Sequence, residues 1–358
     1  MSQLKTNAIR HTTATSDAIT LASDGTATAK ITNNLSNRNL VINGAMQVAQ
    51  YGSSSTSSGF QTVDRFQAAP SGLDEAATQA QVDVAAGTTP YNLGFRKAYK
   101  ITNGNQTSGA GAADNLRIIY KVEAQDLATC GWNYKSASSY ITLSFWVKSS
   151  VAQNFYVQFR TRDTTEQSYT LETGSLSADT WTKVTKTIPG NTNITFVNDN
   201  GIGTEINFWQ FLGTDNTGSV TLNEWAAYSS SARTPASTST WYTTNDATFE
   251  LTGVQLEVGD TATDFEHRSY GSELARCQRY LFKMVGQPYG ARGLGNEGYF
   301  NMYWPTTMRA NPTLTYSMSN ASNGNWLSGT TTGILGHFSD DWSGATPQID
   351  SLTASAEL

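Results

Sequence analysis

Residues 249–284 contain, in order, the pattern of a buried strand, a chain break and an amphipathic helix. The strand is indicated by an apolar run that stops at Gly259-Asp260, a pair that interrupts regular structure. The run consists of Leu251, Val254, Leu256 and Val258. Ser272 is the predicted helix cap. Four residues follow it at helical spacing: Leu274, Cys277, Gln278 and Leu281. The segment therefore predicts a strand that leads into a short helix.

Further strand patterns occur along the chain, and polar, Gly-rich loops separate them. An alternating run comes first, with Leu40, Ile42, Met46 and Val48, and Val63-Asp64-Arg65-Phe66 follows it. The further patterns lie at residues 95–102, 116–123, 140–148, 155–162, 181–188, 206–212, 219–228 and 249–258. About nine or ten strands without a long helix predict an all-β fold, an antiparallel sandwich.

The strand-to-helix segment also matches a longer motif, in which "QLE-G" is followed by "F-x-x-RSYG-E-x-x-x-CQRY". The matching residues are Gln255, Leu256, Glu257, Gly259, Phe265, Arg268, Ser269, Tyr270, Gly271, Glu273, Cys277, Gln278, Arg279 and Tyr280. This motif resembles the end of a jelly-roll domain in bacteriophage tail-fibre and other virion appendage proteins. That jelly roll is galactose-binding-like, with the architecture of many carbohydrate-binding modules. The resemblance implies a jelly-roll sandwich, a short linker helix and a small C-terminal β-domain.

Four units are predicted. Residues 1–39 contain two short alternating runs around Ser23-Asp24-Gly25, which is a hairpin turn signal. This unit is too small to fold alone, and it resembles segments that attach appendages to other virion proteins. Residues 40–270 are the predicted jelly roll, residues 271–284 the linker helix and residues 285–358 the C-terminal β-domain.

The C-terminal unit carries the pattern "P-x-x-MR-x-x-PT". The matching residues are Pro305, Met308, Arg309, Pro312 and Thr313. The pattern resembles the domain that follows this jelly roll in phage fibres. Roughly 70 residues of β-structure make a marginal monomer. We therefore expect a homotrimer that assembles through this receptor-facing domain.

Charge and hydropathy exclude several partners. The net charge is -6 and the sequence pI is about 5.1, so we expect no nucleic-acid partner. No stretch of about 18 apolar residues occurs, so we expect no membrane insertion. The first residues lack a secretory signal pattern, which favours a protein made in the host cytoplasm and packed into a virion. Cys130 and Cys277 are expected to stay unpaired there, with Cys277 as a small buried residue.

The chain carries no recognisable catalytic motif. His11, His267 and His337 are not at metal-ligand spacing. His267 is either a structural polar residue or a pH-sensitive interface group. Four carboxylates could approach one another on a sandwich face: Asp199, Glu205, Asp215 and Glu224. A chain with 29 acidic residues offers such pairs by chance, so we expect no enzyme.

Calcium is the one candidate cofactor. Sandwiches of the galactose-binding-like type often hold a structural Ca²⁺ between their first and last strands. The resemblance therefore suggests Asn43, Asp64 and Glu257 as oxygen ligands. The alternative is that Asp64 pairs with Arg65 or caps a turn.

Several aromatic residues near loops or strand ends are candidates for carbohydrate binding: Trp132, Trp209, Trp225, Trp241 and Tyr242. Sugars pack their C–H faces on aromatic rings, and polar side chains bond their hydroxyls. Trp241-Tyr242, inside a Ser/Thr-rich loop, is the predicted exposed platform. The alternative is that these rings belong to the core and that the loop is a passive insertion.

Charged residues around the predicted helix suggest a joint between the sandwich and the unit that follows. Arg268 and Arg279 are expected to pair with nearby carboxylates. The candidates are Glu257, Glu266 and Glu273. Such pairs fix the geometry of a joint more than they stabilise it when they are exposed.

Together, these patterns and resemblances predict a bacteriophage virion structural protein. The leading interpretation is a trimeric tail fibre that binds a host receptor or surface glycan. The alternative is a capsid-surface decoration protein without a receptor role. A polysaccharide depolymerase is the third and weakest interpretation.

Overall fold

Short antiparallel strands make up most of the secondary structure, as the alternating patterns predict. The computed structural model describes residues 6–15, 17–25, 27–29, 37–287, 297–319, 326–339 and 348–358. No helix in these ranges is long and apolar enough to cross a membrane.

The N-terminal unit forms a small sheet of its own. Its strands are β1 (Ala8–Ile9), β2 (Ile19–Leu21) and β3 (Ala27–Ala29), paired in that order. Gly25 lies between β2 and β3 with φ 87°, a left-handed conformation that glycine adopts without strain. The predicted hairpin is confirmed. The end of the second predicted run, at residues 30 and 31, lies outside the described residues.

Twelve strands form the sandwich. They are β4 (Ser54–Ser55), β5 (Phe66–Ser71), β6 (Thr78–Asp83), β7 (Lys97–Thr102), β8 (Asn115–Glu123), β9 (Tyr140–Ser149), β10 (Asn154–Thr161), β11 (Gln167–Ser175), β12 (Thr182–Pro189), β13 (Ile202–Leu212), β14 (Trp225–Ala227) and β15 (Thr248–Val258). The strand predicted at 219–228 is thus reduced to three residues. The front sheet has the order β14-β11-β10-β13-β8-β5, and the back sheet has the order β12-β9-β15-β7-β6-β4.

One apolar core fills the space between the front and back sheets. Phe145 of the back sheet meets Phe208 of the front sheet edge to face, with ring centroids 5.2 Å apart. Phe155 and Phe249 make a similar contact at 5.1 Å. On each of these strands, the side chains next to the core rings point away from the core, because side chains alternate between the two faces of a sheet. The predicted all-β jelly-roll sandwich is confirmed.

The helices are short: α1 (Thr89–Asn92), α2 (Ala124–Thr129), α3 (Thr240–Thr243) and α4 (Tyr270–Gln278). The predicted cap of α4 is wrong by three residues. Ser269 is the N-cap, and its hydroxyl accepts from the backbone N–H of Ser272 at 3.3 Å. The linker helix predicted at 271–284 is therefore also too long, because the chain is extended again from Leu281.

The C-terminal unit contains two three-stranded sheets. Its strands are β16 (Leu281–Gln287), β17 (Glu297–Tyr303), β18 (Thr313–Ser319), β19 (Trp326–Gly329), β20 (Gly333–Ser339) and β21 (Gln348–Ser355). The sheet orders are β16-β21-β18 and β17-β20-β19. Trp304, Met308 and Leu352 are buried in a core separate from that of the sandwich. Only Arg279 and Tyr280 lie between the end of α4 and the start of β16, so the connection between the two β-units is short.

Candidate functional site

Arg65 is the centre of the joint between the sandwich and the C-terminal unit. Its side chain is 1% exposed and forms an ion pair with Glu357, which is 7% exposed. The guanidinium lies 3.5 Å from the ring centroid of Tyr280 and donates to the backbone carbonyl of Lys121 at 2.9 Å. Burial raises the pKa of Glu357, and the charge of Arg65 counteracts that rise.

A second buried carboxylate lies beside this pair. Glu123 accepts from Arg279 Nη2 at 2.8 Å and from the hydroxyl of Tyr280. Tyr280 O also accepts from the backbone N–H of Ala356 at 2.7 Å. Arg309 adds a contact, since its backbone N–H donates to Arg279 O at 2.8 Å. The last residues of the chain are thus held against the front sheet and the end of α4.

The predicted joint is present only in part. Arg268 pairs with two of the three candidate carboxylates, Glu266 at 3.1 Å and Glu273 at 3.6 Å. The expected partners of the other two residues are wrong. Glu257 pairs with Arg38 at 3.4 Å, and Arg279 pairs with Glu123.

Sequence reasoning missed the residues that matter most in this joint: Arg65, Glu123, Arg309 and Glu357. Arg65 and Glu357 are 292 positions apart. No local pattern links them, and a charged residue near a chain end is usually solvated. The only available signal was the motif around Arg309, which does lie in the joint.

The three predicted calcium ligands are not brought together. Asn43 donates to the backbone carbonyls of Val48 and Asp64 at 2.8 and 3.0 Å. The Asp64 carboxylate accepts from Gln50 N at 2.7 Å, whereas Glu257 bonds Thr263 and Arg38 elsewhere. Among the described residues, no group of three or more His, Cys, Asp or Glu could hold a metal ion. The alternative prediction, that Asp64 pairs with Arg65, is also wrong, because Arg65 forms its ion pair with Glu357.

Burial raises the pKa of Asp64 to about 6, and the nearby negative charge of Glu357 acts in the same direction. Asp64 is 1% exposed, so desolvation of its charged form is the main cause. Its carboxylate is satisfied chiefly by Gln50, which also donates to the backbone carbonyl of Leu281 at 3.1 Å. The titration of Asp64 is therefore linked to the start of the C-terminal unit.

The predicted Trp241-Tyr242 platform is wrong, because both side chains are fully buried. The Ser/Thr-rich loop folds into α3, which turns the two rings inward. Trp241 Nε1 donates to Thr248 O at 3.0 Å, and the Tyr242 ring stacks on Phe211 at 4.3 Å. Rings of this size contribute more to stability in a core than on a surface. Trp132 is likewise buried, at 3% exposure.

Trp209 faces outward from the front sheet but is covered. Its neighbour Phe208 lies in the core, so alternation points Trp209 to the other side. The guanidinium of Arg117 lies 4.5 Å from the Trp209 ring, and that of Arg233 lies 5.8 Å from it. Arg233 belongs to the loop between β14 and α3, which covers the ring. Gln158 Nε2 anchors this loop by donating to Arg233 O at 2.9 Å.

Polar atoms on and around Trp209 are incompletely paired. Among the described residues, the buried atoms here without a hydrogen-bond partner are Arg117 Nε, Asn207 Oδ1, Trp209 Nε1, both amide atoms of Gln210 and Arg233 Nε. Unpaired buried groups each cost roughly 1–3 kcal/mol.

Trp225 is the one predicted aromatic that borders an open cleft. The cleft has a volume of about 250 Å³ and lies between β11 and the loop before β14. Its polar lining consists of Ser168, Thr170, Ser219, Thr221, Glu224 and Ser229. Trp225 is half-buried, and its indole N–H donates to Pro189 O at 2.7 Å. The Trp225 ring packs inward on Tyr169 and Phe159, with ring centroids 5.3 and 6.0 Å apart. Tyr169 is its cross-strand neighbour, so the ring shares the inner face of the front sheet, whereas Ser168 and Thr170 point to the opposite face.

The four carboxylates considered for catalysis have different partners. Glu205 lies 3.8 Å from Arg160 and 3.7 Å from Arg162, which neutralise it. Asp199 accepts from the backbone N–H of Gly201 at 2.8 Å. Glu224 lines the cleft beside Trp225, and Asp215 lies in a 3-10 turn. Both cysteines are free, and Cys277 is buried as expected.

No family model and no curated protein matches this chain. Solved structures with local similarity include the enzymatically active domain of tailspike protein 4 from bacteriophage CBA120. It has a TM-score of 0.32 and 10% identity over 62% of this chain and 22% of its own. The CBM22-1–GH10 modules of a Clostridium thermocellum xylanase give a TM-score of 0.28 and 10% identity over 56% of this chain and 27% of theirs.

A family 11 carbohydrate-binding module of a cellulosomal cellulase from the same bacterium gives a TM-score of 0.26. Its identity is 11%, over 60% of this chain and 98% of the module. The chain thus spans well under a third of the first two proteins. Similarities at this level carry no information on ligand or activity.

Breaking the buried ion pair should destabilise the protein strongly. We expect Arg65→Met to lower the free energy of unfolding by about 3–5 kcal/mol, because Glu357 would remain buried without its partner. The double variant Arg65→Met/Glu357→Leu should recover much of that loss. Urea denaturation measures both. The control is Lys97→Met, which removes a pair that is 38% and 82% exposed and should cost about 1 kcal/mol or less. Equal losses in Arg65→Met and Lys97→Met would contradict the assigned role.

Ionisation of Asp64 should make stability fall as the pH rises from about 4 to about 6. The folded protein holds the Asp64 proton up to a pKa of about 6, whereas the unfolded chain releases it near 3.8. The stabilising contribution is therefore full below pH 4 and lost above pH 6, and it amounts to about 2–3 kcal/mol. In Asp64→Asn this contribution is absent. The stability difference between wild type and variant should shrink by that amount from pH 4 to pH 7. A constant difference in denaturation experiments would rule the effect out.

Proposed function

We propose that the protein is a structural component of a bacteriophage virion, a tail fibre that binds host surface glycans. The cleft beside Trp225 is the observation that carries this proposal. It combines five hydroxyl side chains with the Glu224 carboxylate, on the outer face of an edge strand that Trp225 packs against the core. Sugars bind to surfaces of this kind, because hydroxyls and carboxylates bond the sugar oxygens.

The size of the cleft limits the ligand. Its volume of about 250 Å³ lies below the range of about 300–1,000 Å³ typical of drug-sized ligands. One terminal sugar therefore fits better than an oligosaccharide. A single small contact of this kind is weak, so useful adsorption requires several copies acting together.

A homotrimer would supply those copies. Tyr303 is 75% exposed and Leu335 is 47% exposed. Asn301 pairs with Leu335 across β17 and β20, and Tyr303 follows two residues after Asn301. Tyr303 and Leu335 thus lie on the same outer face of this sheet. We propose that this face packs against neighbouring chains, and that residues 1–39 contact other virion proteins.

The proposed role is not enzymatic. Glu205 is neutralised by two arginines, and Asp199 is used within its own loop. Release of reducing ends from host polysaccharide would instead favour the depolymerase interpretation.

Changes at Trp225 and Glu224 should weaken glycan binding at this cleft. We expect Trp225→Ala, which removes the ring that packs β14 against the core, and Glu224→Gln, which removes a cleft carboxylate, each to weaken binding of host surface polysaccharide about tenfold. Glycan-array screening followed by affinity electrophoresis in the selected polysaccharide measures both. The control is Glu172→Gln, because Glu172 lies on β11 outside the cleft, where it accepts from Asn154 at 3.1 Å. Wild-type binding by both variants would overturn the assignment of this cleft as a glycan site.

The full chain should sediment at about three times its mass of 38.7 kDa. Leu335→Lys should give monomers, because a charge on a packed apolar face costs several kcal/mol. The matched control is Val197→Lys, since Val197 is 46% exposed and lies on the sandwich rather than on the C-terminal unit. A monomeric wild-type chain would contradict the trimer and favour the capsid-decoration alternative.

A further inference from the structure

A second cleft lies on the outer face of the back sheet, opposite the side of the sandwich that carries Trp225. It has a volume of about 210 Å³ and lies where the segment after β15 returns over the sheet. Gly253 forms its floor at a bulge, where β15 shifts register against β9 between Thr252 and Gln255. Gly253 has φ 63°, and a Cβ there would lie 2.8 Å from Phe95 Cζ and 3.1 Å from Trp146 Cδ1. The glycine therefore lets two rings stand directly against the backbone.

Aromatic rings form the walls of this cleft. Phe265 meets Phe95 edge to face at 4.9 Å, and His267 packs on Phe95 at 5.0 Å. The His267 ring is fixed by a 2.9 Å hydrogen bond between Nε2 and Leu93 O. Trp146, on β9, is only half-buried and lines the same space. These rings offer flat apolar surface that part of a ligand can cover.

Polar groups of both charges complete the lining. Lys183 stands opposite Trp146 across β12 and β9, and Asp264 lies on the segment that leads to α4. Both are exposed, and neither has an ion-pair partner in the part of the chain that the structure describes. Ser144 is 3% exposed, and its hydroxyl also has no partner among the described residues. One cation, one anion and one free hydroxyl thus face an apolar slot.

We propose that this cleft is a second carbohydrate site, which takes a single uncharged sugar ring. The argument is chemical complementarity. A sugar presents apolar C–H faces to aromatic walls, and each hydroxyl both donates and accepts hydrogen bonds. A lining with one cation and one anion carries no net charge, so it does not select a charged ligand. The cation can donate hydrogen bonds to sugar hydroxyls, and the anion can accept hydrogen bonds from them. An acidic sugar would meet Asp264, and an apolar ring would leave Ser144 and the two charges unbonded.

The proposal rests on the proposed glycan-binding function but uses different residues. Phe265 and His267 belong to the segment that connects the sandwich to α4, so a bound ring would contact the connection to the C-terminal unit directly. Each chain would then carry two independent sugar contacts on opposite sheets.

The test uses the full-length protein and neutral methyl hexosides, with methyl N-acetylglucosaminide included. Saturation-transfer NMR first identifies the binding ring, and a titration gives its affinity. Asp264→Asn and Lys183→Met should each weaken the binding that persists in a Trp225→Ala background by about tenfold. Asp260→Asn is the matched control, because Asp260 is an exposed carboxylate near the same segment but outside the cleft.

The outcomes separate the two proposals. If no neutral ring binds the Trp225→Ala protein, or if Asp264→Asn and Lys183→Met change nothing, the second site is wrong while the Trp225 site can still stand. Stronger binding of a methyl uronoside than of the neutral glycosides would also overturn it, because the lining would then select an anion. If Trp225→Ala leaves polysaccharide binding intact and the Asp264 and Lys183 variants abolish it, the Trp225 site is wrong and the back-sheet site is supported.

Discussion

A buried ion pair between Arg65 and Glu357 fixes how the two β-units of this protein meet. Arg65 directly precedes β5, and Glu357 is the second-to-last residue of the sequence. Tyr280, directly after α4, lies between the two units and stacks on the guanidinium. Burial alone would lower the pKa of Arg65, but the negative charge of Glu357 raises it above its usual range, so the pair stays ionised. A buried ionised pair needs good geometry to offset its desolvation, and that requirement favours the relative orientation of the two units in which the pair forms.

The rest of the joint follows from this constraint. Glu123 can remain buried because Arg279, Tyr280 and Gln125 supply its hydrogen bonds, and the first two are positioned by the end of α4. The chain end can return to the front sheet only because β21 stops at Ser355 and Ala356 then bonds Tyr280. Removing one charged residue would leave another buried without a partner, so the network acts as a unit rather than as a sum of pairs.

Local sequence patterns predict the elements of this structure well, and long-range partners poorly. Alternation identified eight of the twelve sandwich strands, and the turn at Gly25 identified the first hairpin, because both depend on neighbouring residues. It missed β4, β5, β6 and β11, and the alternating residues 40–48 form no strand. The cap of α4 was misplaced by three residues, since Ser269 and Ser272 have the same chemistry. Trp241 was predicted to be exposed because its loop is polar, but whether a ring faces inward depends on how the loop folds. Arg65 and Glu357 could not be paired, because nothing in either sequence neighbourhood encodes the other.

Rigidity of the joint matters for the proposed binding because both clefts are small. Cavities of about 250 and 210 Å³ can hold little more than one sugar ring each, so neither site gives high affinity alone. Affinity would then come from several sites that engage one surface, and this gain falls when the sites are loosely connected. The two clefts lie on opposite sheets, which pack about 10 Å apart, so each faces a different direction. Only a sandwich held at a set angle to its neighbours would present the same cleft from every chain to the host surface. In the proposed fibre, the Arg65–Glu357 pair would help to hold that angle within each chain.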